Sequence, residues 1–134
     1  MFGSLDISTS ALVANRTRLE VVSANMANRD AIYDAKGNYS PYRRRVAVLS
    51  PGDPVSGNQQ GVHVKEIMLD PSPLQPRYEP GHPDADEKGY VYYPNIEPTF
   101  EMVNALEISR AYEANITAAE ATKAMIQSSL RIVA

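Results

Sequence analysis

His82, Asp84 and Asp86 form an H-x-D-x-D array, and His63 stands apart from it. Imidazole and carboxylate are competent metal ligands, but a site needs three or four of them converging. The array follows Pro80-Gly81 and is interrupted by Pro83. In turn chemistry of this kind an aspartate more often closes an Asx turn than holds an ion. We therefore expect no metal and no cofactor. With no cysteine in the chain, a disulfide, a thiolate zinc site and a cysteine nucleophile are excluded. No serine lies in a G-x-S-x-G context. The glycines are scattered, and none opens a helix after a strand as a phosphate loop requires. No catalytic residue is expected. Arg43, Arg44 and Arg45 make the one basic cluster. On a strand, Arg44 would face opposite to its neighbours. The cluster reads either as a solvated edge that resists strand addition or as a salt contact to Asp84, Asp86 and Glu87, and the sequence does not choose between them.

A chain of 134 residues supports one domain with a modest core. Thirteen basic and sixteen acidic residues leave a net charge of −3, which argues against a nucleic-acid partner. The apolar runs are far shorter than the ~20 residues of a membrane span. The first cation is Arg16, so no secretory n-region is visible.

If chemistry is absent, the informative pattern is the one that builds surfaces. From Pro98 to Ala134 there is no glycine, and proline occurs only at the start. Met102, Ala105, Tyr112, Ile116, Ala119, Ile126, Leu130 and Val133 step by threes and fours, with Ser109 and Lys123 breaking the row. This is the seam of a helix that packs lengthwise on another helix. Ala111, Ala118, Met125 and Ile132 form a second row, so this helix has more to bury than one partner covers. At the other end, from about residue 5 to 28, Leu5, Leu12, Leu19 and Met26 are seven apart, with Val22 at the paired position. Ser8 and Asn15 fill the remaining paired positions, and Ala11, Ala14 and Val21 widen one side. Asn15, Asn25 and Asn115 lie on or beside these faces, where a buried amide can fix register.

All ten prolines fall between Pro41 and Pro98, and seven of the eight tyrosines lie in the middle segment. Tyr42 to Leu49, Gly61 to Leu69 and Gly89 to Tyr93 read as short strands. Asp70 to Pro76 reads as an extended connection. The expected fold is α+β. Residues 1–28 and 98–134 would be long helices pairing as a coiled coil, around a Pro-rich, irregular β insertion at 29–97.

Several stretches carry a resemblance. They are Leu5-Asp6-Ile7-Ser8, Pro41-Tyr42-Arg43-Arg44, Pro80 to Asp86 with Gly89-Tyr90-Val91, Pro94-Asn95-Ile96, Glu101-Met102-Val103, and Arg110-Ala111-Tyr112-Glu113-Ala114-Asn115. Together they resemble the flagellar axial proteins (rod, hook and their relatives), and the block around residues 80–91 narrows the likeness to the basal-body rod. Asn25-Met26-Ala27-Asn28 matches the family's pattern after the first helix, whereas Arg29-Asp30-Ala31 departs from it.

The resemblance implies a structural subunit without catalysis. It would be exported unfolded by the flagellar type III apparatus without a cleaved signal peptide, and would assemble helically into a rod that carries torque across the periplasm. Its partners would be copies of itself and other flagellar rod proteins, with no nucleic acid and no membrane span of its own. The assembly residues would be Leu5, Leu12, Leu19, Val22, Met26, Met102, Ala105, Ala111, Tyr112, Asn115, Ile116, Ala118, Ala119, Met125, Ile126, Leu130, Ile132 and Val133. The competing reading is a cytoplasmic coiled-coil interaction module or flagellar export chaperone.

Overall fold

A computed structural model describes residues 2–134. Helix α1 spans Phe2–Ala27, and strands β1 and β2 span Arg45–Pro51 and Val62–Leu69. Strands β3 and β4 span Gln75–Tyr78 and Tyr90–Tyr93, and helix α2 spans Pro98–Val133. The fold is α+β, with two separate antiparallel two-stranded sheets, β1–β2 and β3–β4.

The helices begin and end where local chemistry dictates. Pro98 occupies the first turn of α2, where its missing N–H costs nothing. At the end of α1, Asn28 donates both its backbone N–H and its side-chain amide to the Ala24 carbonyl. At 1.5 Å per residue, α1 is about 39 Å long and α2 about 54 Å. They pack on each other and run antiparallel. Val21, Val22 and Asn25 share one cavity with Asn104 and Ile108. α1 ends at Ala27, so only an antiparallel course lets it also cover Thr122.

The β1–β2 hairpin lies on another side of α1. Ala14 and Val21 are buried, and Ala14 lines a pocket with Val62 and Val64. Of the residues that widened the apolar side of α1 in the sequence, Ala14 thus faces the sheet, while Val21 lies between the hairpin and α2. Strand β1 starts three residues later than expected, at Arg45, and runs on to Pro51. A bulge at Val48/Leu49 shifts its register with β2. The turn back to α1 depends on Gly61. Its φ is +88°, and a Cβ there would lie 2.7 Å from Ser10 Oγ, which accepts a hydrogen bond from the Val62 N–H. Gly61→Ala is expected to cost about 1–3 kcal/mol through backbone strain and displacement of Ser10, read as a lower midpoint of thermal unfolding.

Strand β3 was not expected, because Asp70 to Pro76 reads as a bare connection. Gln75 and Pro76 instead pair with Tyr93 and Tyr92. Proline is tolerated because a two-stranded sheet leaves each strand an unpaired edge. Ile32, Val91 and Tyr93 form a small core with Ala85 packed against it. The departure from the family pattern after Asn28 is resolved as a turn, closed by Gly37 and a bridge between Tyr33 and Tyr39. Among the described residues, the β3–β4 sheet packs against neither helix nor the other sheet. It is a satellite of the helical body.

Candidate assembly surface

The face that α2 turns toward α1 differs by one residue from the row read in the sequence. Glu101, Ile108 and Thr122 are buried, and Asn115 and Ser129 are half-buried. Ala105, Tyr112, Ala119 and Ile126 alternate with them at three- and four-residue steps and are also half-buried. The second set belongs to the row expected from sequence. The first set replaces Met102, Ser109, Ile116, Lys123 and Leu130, each by its preceding neighbour, a rotation of about 100° at those positions. Met102 is 63 % and Leu130 64 % exposed, while Ile116 lies at 36 %. Val133, Met125 and Ile132 are exposed, as is Ala118, and Ala111 is half-buried.

On α1 the same substitution of small polar for large apolar residues occurs. Ser8, Asn15 and Val22 are buried, whereas Leu5, Leu12 and Met26 are only half-buried and Leu19 is exposed. Carrying the antiparallel register along from Ile108 and Val22 sets Asn115 beside Asn15 and Thr122 beside Ser8. Short side chains allow close approach only if their polar atoms are satisfied. Asn115 donates to the Ala111 carbonyl at 2.8 Å and Thr122 to the Ala118 carbonyl at 3.0 Å. Asn15 accepts from Arg18. The intrachain seam therefore mixes short polar residues with Ala105, Ile108, Tyr112, Ala119 and Ile126, while Met102, Met125, Leu130, Ile132 and Val133 of α2 point elsewhere.

The surface total agrees with this. A compact monomer of this mass should expose about 6,900 Å², whereas the chain exposes 9231 Å². Apolar α2 residues from Phe100 to Val133 contribute prominently to the excess.

Two polar anchors, neither assigned from sequence, hold the β elements to the helices. Asn25 is 1 % exposed. Its amide donates to the Arg45 carbonyl at 2.8 Å, and its oxygen accepts from the Arg45 N–H at 2.9 Å and from the Tyr42 hydroxyl. The side chain thus acts as a short strand partner, tying the start of β1 to α1. It fixes helix to sheet, where the sequence suggested helix to helix.

The second anchor is Arg44. It is half-buried between exposed Arg43 and Arg45, as the alternation of the triplet required. Its guanidinium pairs with Glu101, which is fully buried, and with Asp70 at 3.4 Å, and it lies 5.6 Å from the Phe100 ring. The alternatives left open by the sequence are both replaced, since Arg44 binds neither solvent alone nor the acids at 84–87. Among the described residues Glu101 Oε2 has no hydrogen-bond partner, so Arg44 is what compensates this buried carboxylate. Hydrogen bonds from Ser72, with a smaller contribution from Arg44, hold the Asp70 carboxyl below its ordinary range.

The acid array resolves into turn bonds. Asp84 N–H donates to His82 Nδ1, and Asp84 Oδ2 accepts from the Tyr33 hydroxyl. Asp86 Oδ1 accepts the N–H groups of Lys88 and Tyr90. His63 is distant in sequence and contacts the Gly52 carbonyl. Among the described residues no cluster of potential ligands converges, and no helix is long and apolar enough to cross a membrane.

Residues 5–30, on α1 and the turn after it, match the family described as flagella basal body rod protein. Residues 87–132, covering β4 and nearly all of α2, match the C-terminal family of flagellar basal body rod FlgEFG proteins. The flagellar basal-body rod protein FlgC of Bacillus subtilis is 42 % identical, over 98 % of this chain and 97 % of its own length. The FlgC proteins of Borreliella burgdorferi and Yersinia enterocolitica are 37 % and 39 % identical, over 99 % and 95 % of this chain and 97 % and 93 % of theirs. These relatives are structural proteins and not enzymes. With both terminal helices matched and near-complete coverage by such relatives, the chain belongs to the flagellar basal-body rod proteins and is a structural subunit of that rod.

Proposed function

We propose that this subunit assembles helically through its two terminal helices and transmits torque across the periplasm as part of the rod. Residues 1–28 and 98–134 act together as a coiled-coil, tube-wall domain, and residues 29–97 form a β-containing middle segment outside it. Partners are further copies and other rod proteins, delivered by the flagellar type III export apparatus without a cleaved signal peptide. The observation that carries this reading is the split character of α2. One face meets α1 through Ile108, Tyr112 and Ile126 together with short residues such as Asn115 and Thr122, while Met102, Met125, Leu130, Ile132 and Val133 stay open. Apolar rows of that length are costly to leave in water, and association with other helices removes the cost.

The two faces of α2 should respond differently to substitution. Met125→Glu with Ile132→Glu leaves the isolated subunit's unfolding midpoint unchanged but prevents incorporation into basal bodies. Ile108→Ala removes a buried side chain at the intrachain contact and lowers subunit stability by about 2–5 kcal/mol. A normal rod containing the glutamate pair contradicts the proposal. A second experiment removes residues 121–134, the last two heptads. A strain lacking the native protein and supplied with this truncation is expected to be non-motile, and motility would refute assembly through α2. An interaction module or export chaperone would stay in the cytoplasm, so fractionation of purified basal bodies separates that reading from ours.

A further inference from the structure

The outer face of the β3–β4 satellite carries a belt of five tyrosines that no packing role explains. Tyr78 and Tyr90 stand opposite each other across the strands, with ring centroids 5.4 Å apart. Tyr92 follows on the same face of β4. Tyr39 reaches it from the preceding loop, accepting from the Tyr92 N–H and donating to the Tyr92 carbonyl. Tyr33 completes the belt, 6.5 Å from Tyr39. All five are 37–67 % exposed, although the core of the satellite is made by Val91, Tyr93 and Ile32.

Three of the belt hydroxyls are pinned. Tyr33 and Tyr92 donate to Asp84 and Asp86, and Tyr39 is held on the Tyr92 backbone. Pinned rings lose little rotamer freedom on binding, which is what makes tyrosine effective at interfaces. The electrostatics narrow the partner. Residues 29–42 and 75–97, which build the satellite and its loops, contain seven carboxylates and four Lys or Arg. The rest of the chain holds nine of each, so the entire net charge of −3 sits on this unit. Ring faces backed by carboxylates attract cations. The chain shows that chemistry within itself, where Arg77 lies 4.1 Å from the centroid of Tyr93.

We infer that the tyrosine belt of the β3–β4 satellite is a docking face for an arginine-bearing segment of a different, basic protein. A second copy is disfavoured as the occupant, because its remaining segments carry no net positive charge to complement the belt. The inference is independent of the helical surface proposed above, since strands β3 and β4 pack on neither helix.

The test titrates a synthetic peptide of alternating arginine and glycine, ten residues long, into the full chain carrying labelled tyrosine rings. Ring resonances of Tyr78, Tyr90 and Tyr92 are expected to shift on binding. Tyr90→Ser with Tyr92→Ser should weaken binding at least about tenfold, whereas Tyr90→Phe with Tyr92→Phe retains it within about twofold, because the ring faces supply the contact. A shift confined to the ring of Tyr112 on α2, or binding unchanged in the serine pair, overturns the inference. So does a belt that responds to the chain's own concentration or to a neutral oligosaccharide such as chitotetraose and not to the peptide. The phenylalanine pair and the ring shifts decide the matter even if the serine pair unfolds.

Discussion

Arg44→Ala is expected to lower the stability of the folded subunit by about 3–5 kcal/mol, the cost of stranding a buried charge. Glu101 is completely buried, and among the described residues one of its oxygens is already without a partner and Arg44 supplies the other's only charged contact. Exposed ion pairs such as Arg16–Glu20, by contrast, are worth ~0–1 kcal/mol. The effect should be severe because the core is small, and total stabilities of domains are only about 5–15 kcal/mol. Chemical denaturation of the single variant measures the loss. The double variant Arg44→Met, Glu101→Leu should recover most of it, because removing both charges removes the uncompensated desolvation. Equal losses in the single and double variants would show that Arg44 acts through packing on Phe100 instead. The pair also has an acid-side signature. Asp70 is held below its ordinary range, so its contribution is complete above the unfolded carboxylate value and is lost as pH falls through the lowered folded value. Arg44→Ala should weaken that dependence only in part, since Ser72 contributes more than Arg44 to the shift.

Asn25→Ala should cost about 2–4 kcal/mol, because it removes three hydrogen bonds of a fully buried side chain, each worth about 0.5–1.5 kcal/mol, two of them to backbone groups of β1. Both belong to Arg45, and the Tyr42 hydroxyl loses its acceptor as well. Hydrogen exchange locates the damage: amide protection should fall first in β1 and β2, with α2 protected longer. Uniform loss along the whole chain would mean that the hairpin and helices unfold as one unit and that Asn25 is not a local anchor.

Much of the architecture was readable before any coordinates. Proline and glycine are confined to the middle, which left the two ends helical, and both helices appear within a few residues of their expected bounds. Strand β2 and strand β4 follow β-branched and aromatic runs bounded by glycine. Strand β3 escaped notice because two of its four residues, Gln75 and Pro76, have poor strand propensity, and cross-strand pairing with Tyr92 and Tyr93 overrides that. The buried stripe of α2 is offset from the apolar row at every second position. Ala105, Tyr112, Ala119 and Ile126 of that row are half-buried, and the positions alternating with them are Glu101, Ile108, Asn115, Thr122 and Ser129. A search for apolar periodicity cannot find the seam positions that small polar residues hold, even though Ser8 and Asn15 on α1 were visible as gaps in the leucine row.

Periodicity, caps and composition are local properties, so the sequence by itself determined that this chain has two long helices around a β-bearing middle, no set of catalytic groups, and apolar rows in excess of what one helix pair covers. Its motifs also carried the family. Which row meets which partner depends on distances between segments far apart in the chain, and only the tertiary structure decided that. It turned Ser8, Asn15, Asn115 and Thr122 inward, where short side chains let the helices approach, and left Met102, Met125, Leu130 and Ile132 outward. It also brought Arg44 to Glu101, 57 residues away, and Asn25 to Arg45, 20 residues away. A buried charge or amide must find its complement wherever the fold supplies one, and no spacing rule in the chain encodes that meeting.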